Sequence, residues 1–383
     1  TIGINNSAFG YKALNANTTG TSNTAFGTRA LTTNTVGNRN SAFGFDALRY
    51  NTIGSGNSAF GYRALRQDTT GSANTGFGYQ ALFYNTVGST NTAIGFHALL
   101  NNTTSDNTAV GYNALTSNTT GAYNASFGSI ALQSNTFGQS NSAFGVFALT
   151  ANTTGAFNVA VGYISLQSNT RGSYNTAVGY NSLSANTFGN YNSAFGYKAL
   201  NSNTTGNRNS AFGYSSLRLN TIGVRNAAFG YAAMLYNTTG NNNTFLGTQS
   251  YSSLNTVSNS TAIGYQAFVN VNDMIQLGNS SVSLVNTSGV LKTVNGTAST
   301  SISTGALQVP NGGASIGGAL WVGGLSNIAG ALTVTGAQTF TGATTHNSTV
   351  QFNDNVTLLN GKTLSVGTSG ATTPTLLYGT LTV

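Results

Sequence analysis

The sequence predicts an all-β fold, a parallel β-solenoid (β-roll) of about 16 stacked rungs with seventeen residues in each rung. Three observations lead to this prediction. A seventeen-residue pattern recurs from near the start of the chain, every copy carries a glycine at the same place, and asparagine and glycine mark the points where a coil must turn. A helical-hairpin repeat is excluded because it needs more than roughly thirty residues.

The repeat reads N-[ST]-A-F-G-Y-x-A-L-x-x-N-T-[TV]-G-x-x when it is numbered from its leading asparagine. The glycine at position 5 recurs at seventeen-residue steps from Gly10 to Gly264, except that the step from Gly95 to Gly111 is one residue short. At this slip we expect Ser105 to replace the second glycine of the repeat, which stands at position 15.

Residues at the same repeat position should stack from rung to rung. We expect the asparagines at positions 1 and 12 to form side-chain ladders. We expect the glycines at position 5 to lie where another backbone approaches closely. The predicted ladder residues include Asn6, Asn23, Asn40, Asn57, Asn17 and Asn34 in the asparagine columns and Gly10, Gly27 and Gly44 in the glycine column.

The candidate strands in each rung are "SAFGYKAL" and the "NTTG" stretch, joined by two tight turns. Position 7 is variable, with Lys12, Arg29 and Asp46 in the first three rungs, so we expect it to face solvent in most rungs. Strand alternation would then turn positions 4, 6 and 8 away from water. Leucine at position 9 is also nearly constant, and a small coil cannot enclose two columns of large apolar side chains. This conflict predicts association of identical chains along the rod.

The periodicity divides the chain into three parts. Residues 1–268 form the predicted solenoid, residues 269–300 a connector with short strands, and residues 301–383 a Gly/Thr-rich β fibre segment. In the last part "GAL" recurs at Gly305, Gly318 and Gly330. Short apolar strands that alternate with glycine and threonine cannot bury themselves singly, so we expect an intertwined, β-rich, shaft-like region made by three chains.

The chain carries 13 Lys and Arg against 5 Asp and no Glu, a net charge of +8. Several basic residues share repeat positions 7 and 10. They are candidates to face an anionic glycan, or else form a solvated rim that keeps the rod soluble. These candidates are Arg29, Arg63, Arg49, Arg66 and Arg218. The sequence contains no run of basic residues of the kind that indicates nucleic-acid binding. It also contains no apolar run of the roughly 20 residues needed to span a membrane.

The sequence predicts no catalytic, cofactor-binding or metal site, and we therefore expect no enzyme. The aspartates fall at different repeat positions, and His97 and His346 have no companion ligands. Threonine at position 13 forms one rank along the rod, whereas a flat ice-binding face needs two. The "NTT" stretches also create N-x-T glycosylation sequons. These lie at Asn17, Asn102, Asn118, Asn152, Asn203 and Asn237.

The segments "NSAFG", "NTAIG" and "NTAVG" resemble the head-domain repeats of trimeric autotransporter adhesins, which are trimeric parallel β-rolls. The fuller pattern NTAxGYxAL…NTTG is similar to repeats in tail-fibre and fibre-like proteins of bacteriophages and large viruses. The resemblance covers residues 1–268.

The resemblance implies an extracellular, non-catalytic, trimeric fibre at a virion surface or tail. Such a fibre projects or forms a host-attachment surface. Its implied partners are other fibre or virion structural proteins and, as a candidate receptor, a host cell-surface glycan. The alternatives are a bacterial cell-surface adhesin or filament and, less favoured, an ice-binding solenoid.

Overall fold

The computed structural model describes residues 3–282, 332–334 and 350–352. The chain divides into two compact units, Thr1–Thr287 and Ser288–Val383. The described residues form strands, turns and bends and contain no helix. Among them, accordingly, no helix is long and apolar enough to cross a bilayer.

Each coil of the first unit contributes one short strand, formed by repeat positions 2–4. These strands make a single 17-stranded sheet. Its members are β1 (Ser7–Phe9), β2 (Thr24–Phe26), β3 (Ser41–Phe43), β4 (Ser58–Phe60), β5 (Thr75–Phe77), β6 (Thr92–Ile94), β7 (Thr108–Val110), β8 (Ala125–Phe127), β9 (Ser142–Phe144), β10 (Val159–Val161), β11 (Thr176–Val178), β12 (Ser193–Phe195), β13 (Ser210–Phe212), β14 (Ala227–Phe229), β15 (Thr244–Leu246), β17 (Thr261–Ile263) and β19 (Ile275–Leu277).

Neighbouring strands of this sheet are parallel, and equal repeat positions pair with one another. Ser7 pairs with Thr24, Ala8 with Ala25, and so on along the sheet. Two further strands of two residues each, β16 (Tyr251–Ser252) and β18 (Phe268–Val269), form a small second parallel sheet in the last coils. The predicted all-β parallel solenoid of about 16 turns is therefore confirmed.

The strands are shorter than the sequence predicts, and each coil before the fifteenth has one rather than two. Three backbone features end the strand after position 4. Glycine at position 5 has φ between 119° and 144°, and positions 7 and 9 both adopt the left-handed region, with φ of 55° at Lys12 and 51° at Leu14. The "NTTG" stretch forms bends whose backbone hydrogen bonds run to the next coil, as from Thr18 N–H to Thr35 O at 2.9 Å.

The interior of the solenoid is filled by positions 3, 8 and 9. In the third coil these are Ala42, Ala47 and Leu48, all fully buried. The expectation that positions 4 and 6 also point inward is wrong, since Phe26 and Tyr62 are exposed. The left-handed backbone between positions 5 and 9 interrupts strand alternation, so leucine at position 9 takes the interior and the aromatic residues lie outside.

Glycine is required at position 5 because the next coil approaches from below. A Cβ atom at Gly145 would lie 2.5 Å from the carbonyl oxygen of Gly162, and the φ of 140° disfavours any side chain there. The same contact occurs where the predicted column begins. Gly10 faces Gly27, and Gly27 in turn faces Gly44.

The slip in the period is absorbed without a break in the sheet. Asn91 Nδ2 donates to Thr104 O at 2.7 Å, the bond that coils of normal length make to the glycine at position 15. Ser105 instead accepts a hydrogen bond from Ser89 N–H through Oγ, as serines at position 16 do elsewhere. Thr104, and not Ser105, therefore stands in the place of the second glycine.

The sheet continues beyond residue 268. Ile275–Leu277 pairs in register with Thr261–Ile263 after a short final coil. In the second unit the structure describes β20 (Leu332–Val334) and β21 (Val350–Phe352), which pair in parallel. The predicted shaft-like region and its three "GAL" segments otherwise lie outside the described residues.

Candidate functional site: an arginine cluster and the surface columns

The asparagines at position 1 join coils through the main chain. Asn23 N–H donates to Asn6 Oδ1 at 2.9 Å, and Asn6 Nδ2 donates to Gly20 O at 2.8 Å. The same pair of bonds recurs through Asn40 and Asn57. Each amide thus satisfies one backbone group of its own coil and one of the next.

The asparagines at position 12 bond side chain to side chain. Asn34 Nδ2 donates both to Asn17 Oδ1 and to Gly37 O at 3.0 Å. This glycine carbonyl also accepts from Asn23 Nδ2, so both asparagine columns meet at one corner of the coil. Asn102, Asn118, Asn152, Asn203 and Asn237, which are also sequons, are buried in this column. In the folded chain their amides are not accessible for glycosylation.

Four of the five basic candidates converge on one carboxylate. Asp46, at position 7 of the third coil, is completely buried beneath them. Arg29 Nε lies 2.8 Å from Asp46 Oδ1, and Arg66 Nε lies 3.2 Å from Oδ2. Arg49 Nη1 and Arg63 Nε lie 3.5 Å and 3.9 Å from Oδ2. We call these five residues the arginine cluster.

Aromatic rings hold the guanidinium groups of the arginine cluster from the side. Arg29 lies 4.7 Å from the ring centre of Phe45, and Arg63 lies 4.8 Å from that of Tyr62. Arg49 and Arg66 share the ring of Tyr50, at 4.9 Å and 5.0 Å. Such contacts contribute roughly 0.5–1 kcal/mol each at exposed sites.

Arg218, the fifth basic candidate, is not part of the cluster. It occupies repeat position 10, as do Arg49 and Arg66, but position 7 of its coil is Ser215 rather than an acid. The repeat positions of the arginines can be read from the sequence. Their convergence requires that positions 7 and 10 lie side by side in coils two to four. Asp46 then stands among four cations, two from each position.

Aromatic residues outside the core form stacks of several rings each. At position 4, Phe195 and Phe212 have ring centres 4.7 Å apart and Phe212 and Phe229 4.9 Å apart. At position 6, Tyr197 and Tyr214 are likewise 4.9 Å apart. Because the rings cover each other's faces, the stacks present ring edges to solvent along one side of the solenoid.

Asp68 replaces asparagine at position 12 of the fourth coil and is buried. Its Oδ1 accepts from Gly71 N–H at 2.9 Å, and its Oδ2 lies 3.4 Å from Asn74 Nδ2. Burial raises the pKa of Asp68 to about 8 against these hydrogen bonds. The Oδ1 atom of Asn51, in the preceding coil, has no hydrogen-bond partner.

Two other titratable side chains in the described part of the chain each contact a neutral residue of the neighbouring coil. His97 Nε2 lies 2.9 Å from Gln80 Oε1, and partial burial lowers the pKa of this histidine. Asp106 accepts a hydrogen bond from Thr90 Oγ1 at 2.6 Å. Within the described residues no three acids or histidines come together in a way that could hold a metal ion.

The fold and its ladders define the class of protein: a parallel β-solenoid repeat protein. No known protein-family description matches the sequence, and a comparison with curated proteins gives no match.

Proposed function

We propose that this protein is a structural, non-catalytic fibre component that assembles as a homotrimer outside the cell. In this proposal it belongs to a virion surface or phage tail, where it projects or forms a host-attachment surface. The resemblance of the repeats supports the fibre assignment. The observation that carries the assembly is the position of the aromatic columns outside a complete core.

The outer column at position 4 is apolar in every coil. Phe26 is 51% exposed and Phe77 is 56% exposed, although the interior is already filled by leucine and alanine. An apolar side chain of this size forfeits about 1.5–3 kcal/mol when it stays in water. A continuous column of such residues is typical of an interaction surface.

Association of identical chains along this column would cover every copy. A closed ring of parallel solenoids satisfies all columns at once and does not grow into open-ended aggregates. The resemblance to trimeric adhesin heads and viral fibres sets the expected number of chains at three. Other virion structural proteins would then contact the ends of the trimer.

Light scattering of the full chain tests the assembly. The monomer mass is 39.1 kDa, and the proposal expects three times this value. Phe144→Asp, in the position 4 column, should lower the mass, because it places a charge in the interface. Phe137→Asp is the matched control, since Phe137 is an exposed phenylalanine at position 14. A wild-type mass of one chain would overturn the fibre proposal.

A bacterial cell-surface adhesin or filament remains the alternative, because it would use the same coil and the same outer columns. The genes beside this one distinguish the two. Capsid and tail genes support the viral fibre, and a gene for an outer-membrane anchor supports the adhesin.

The hydrogen bonds at position 13 argue against ice binding. Thr35 Oγ1 donates to Thr52 O at 3.0 Å, and Thr153 Oγ1 donates to Thr170 O at 3.0 Å. These hydroxyl groups therefore donate their hydrogens to carbonyl groups of the next coil. In both coils position 15 is glycine, which supplies no second rank of hydroxyl groups. Measurement of thermal hysteresis tests this alternative directly.

A further inference from the structure

We propose that the arginine cluster binds an oxyanion, the sulfate ester or carboxylate of an acidic polysaccharide. The polysaccharide as the source of the anion rests on the proposed attachment function. The anion site itself rests on the geometry of Arg29, Arg49, Arg63 and Arg66 around Asp46.

The cluster has a large excess of positive charge in a small volume. Four arginines and one aspartate give a net charge of +3 (4 − 1), with all four cations within 4 Å of the same carboxylate. Arginine cannot lose its proton in a protein, so this excess persists at all physiological pH values. An anion placed beside the cluster would reduce the repulsion among the guanidinium groups.

Most hydrogen-bond donors of the cluster have no protein acceptor. Four guanidinium groups offer about twenty N–H donors. Three side-chain hydrogen bonds reach Asp46, and one, from Arg66 Nη2, reaches the Tyr50 hydroxyl at 3.3 Å. The arginine side chains retain between 17% and 34% exposure, so part of each is open to solvent. Planar guanidinium groups pair with the oxygens of carboxylates, sulfates and phosphates.

The arginines are held in place before any ligand arrives. Asp46 binds them from below and the rings of Phe45, Tyr50 and Tyr62 pack against them from the side. Ordering a free arginine on binding costs conformational entropy, and much of this cost is absent here.

The same rings favour a polysaccharide over a nucleic acid. Phe45 stacks on Tyr62 at 5.5 Å and also carries Arg29, while Tyr50 carries two guanidinium groups. Binding of single-stranded nucleic acid uses free aromatic faces on which bases stack. The faces in this cluster are already covered.

The double substitution Arg29→Gln with Arg49→Gln tests the site in the full chain. It removes two charges and leaves Arg66 bonded to Asp46. The matched control is Lys198→Gln with Arg218→Gln. Lys198 and Arg218 occupy the same repeat positions as Arg29 and Arg49, 7 and 10 of successive coils, so the control substitutions remove the same charge. No carboxylate lies between them in the repeat.

Binding is measured to immobilised chondroitin sulfate, which carries sulfate and carboxylate, and to hyaluronan, which carries carboxylate alone. We expect the Arg29/Arg49 variant to bind at least about tenfold more weakly, because it loses charge-assisted hydrogen bonds. The control should change about twofold or less. Binding of hyaluronan equal to that of chondroitin sulfate assigns the carboxylate, and a preference for the latter assigns the sulfate ester.

Three results would overturn the proposal: no binding of either polysaccharide by the wild type, equal loss in both double variants, or an oligonucleotide that binds as tightly with the same dependence on the cluster. Circular dichroism of each variant checks that the fold is retained. If the Arg29/Arg49 variant does not fold, Arg29→Lys with Arg49→Lys keeps the charge and removes the planar fork, and it should still weaken binding.

Light scattering on the same samples separates this inference from the fibre proposal. A monomer that binds the polysaccharide through the cluster overturns the fibre and leaves the site. A trimer that binds neither polysaccharide overturns the anion site and leaves the fibre proposal.

Discussion

Asp68→Asn should stabilise the solenoid at neutral pH and remove a dependence of stability on pH. Asp68 stands in a column of asparagines, where a neutral amide normally donates to the preceding coil. Asn51 Nδ2 donates to Asn34 Oδ1 at 2.8 Å in this way. Asn51 Oδ1 has no hydrogen-bond donor while Asp68 is ionised. An asparagine at residue 68 has the shape of aspartate and supplies that donor.

The magnitude follows from the two pKa values of Asp68. The ordinary value is 3.8 and burial raises it to about 8 in the folded chain. Between these pH values the folded chain holds one proton that the unfolded chain has lost. The free energy of unfolding therefore falls as pH rises, by about 1.4 kcal/mol per pH unit. From pH 5 to pH 7 the loss is about 2.7 kcal/mol, and above pH 8 it is complete.

Urea denaturation of wild type and variant at pH 5, 6 and 7, followed by circular dichroism, measures the effect. Other titrating groups are common to both chains, so the difference between them isolates Asp68. We expect this difference to grow by about 1.4 kcal/mol per pH unit in favour of Asp68→Asn. Asp106→Asn makes the same change of residue type at an exposed position and serves as the matched variant. If the difference between wild type and Asp68→Asn does not change with pH, Asp68 is not protonated in the fold and the reasoning is refuted.

Three other predictions concern the coil itself, each measured as a change in denaturation midpoint. Gly145→Val should destabilise the fold by about 1–3 kcal/mol or more, because its side chain meets the next coil. Gly56→Ala, where the added Cβ meets nothing closer than 3.9 Å, should cost much less; similar losses for the two would contradict the steric argument. Asn152→Ala should cost about 1–3 kcal/mol, since it leaves buried partners unpaired. Leu149→Ala should cost about 2–5 kcal/mol through a cavity in the core, and an unchanged midpoint would place this leucine outside the core.

The repeat predicts the coil and its stacking because one residue type at each position must satisfy the same contact sixteen times. Asparagine at position 12 and glycine at position 5 have few alternatives in such a coil, so their columns could be read from the sequence. Which apolar column lies inside could not be read in this way. Phe26 and Leu31 are both large and apolar, and only the left-handed backbone at position 9 directs the leucine inward.

The arginine cluster was only partly predictable for a related reason. Repeat positions identify Arg29 and Arg63 as one column and Arg49 and Arg66 as another. Whether two columns meet depends on how the chain turns between positions 7 and 10, and this turn uses backbone angles that are rare for residues other than glycine. Asp46 therefore looked like an isolated surface acid, whereas it is the buried centre of the cluster.

Because equal repeat positions pair from coil to coil, the length of the solenoid can change in steps of one whole coil. Each coil contacts the coil before it and the coil after it, so removal of residues 124–140 would join Tyr123 to Asn141 and restore the same contacts. The solenoid would become shorter by one coil, about 4.8 Å, and every other contact would stay in register. Duplication of a coil would lengthen it by the same step. The length of such a protein can therefore change by whole repeats while its cross-section, its ladders and its outer columns stay the same.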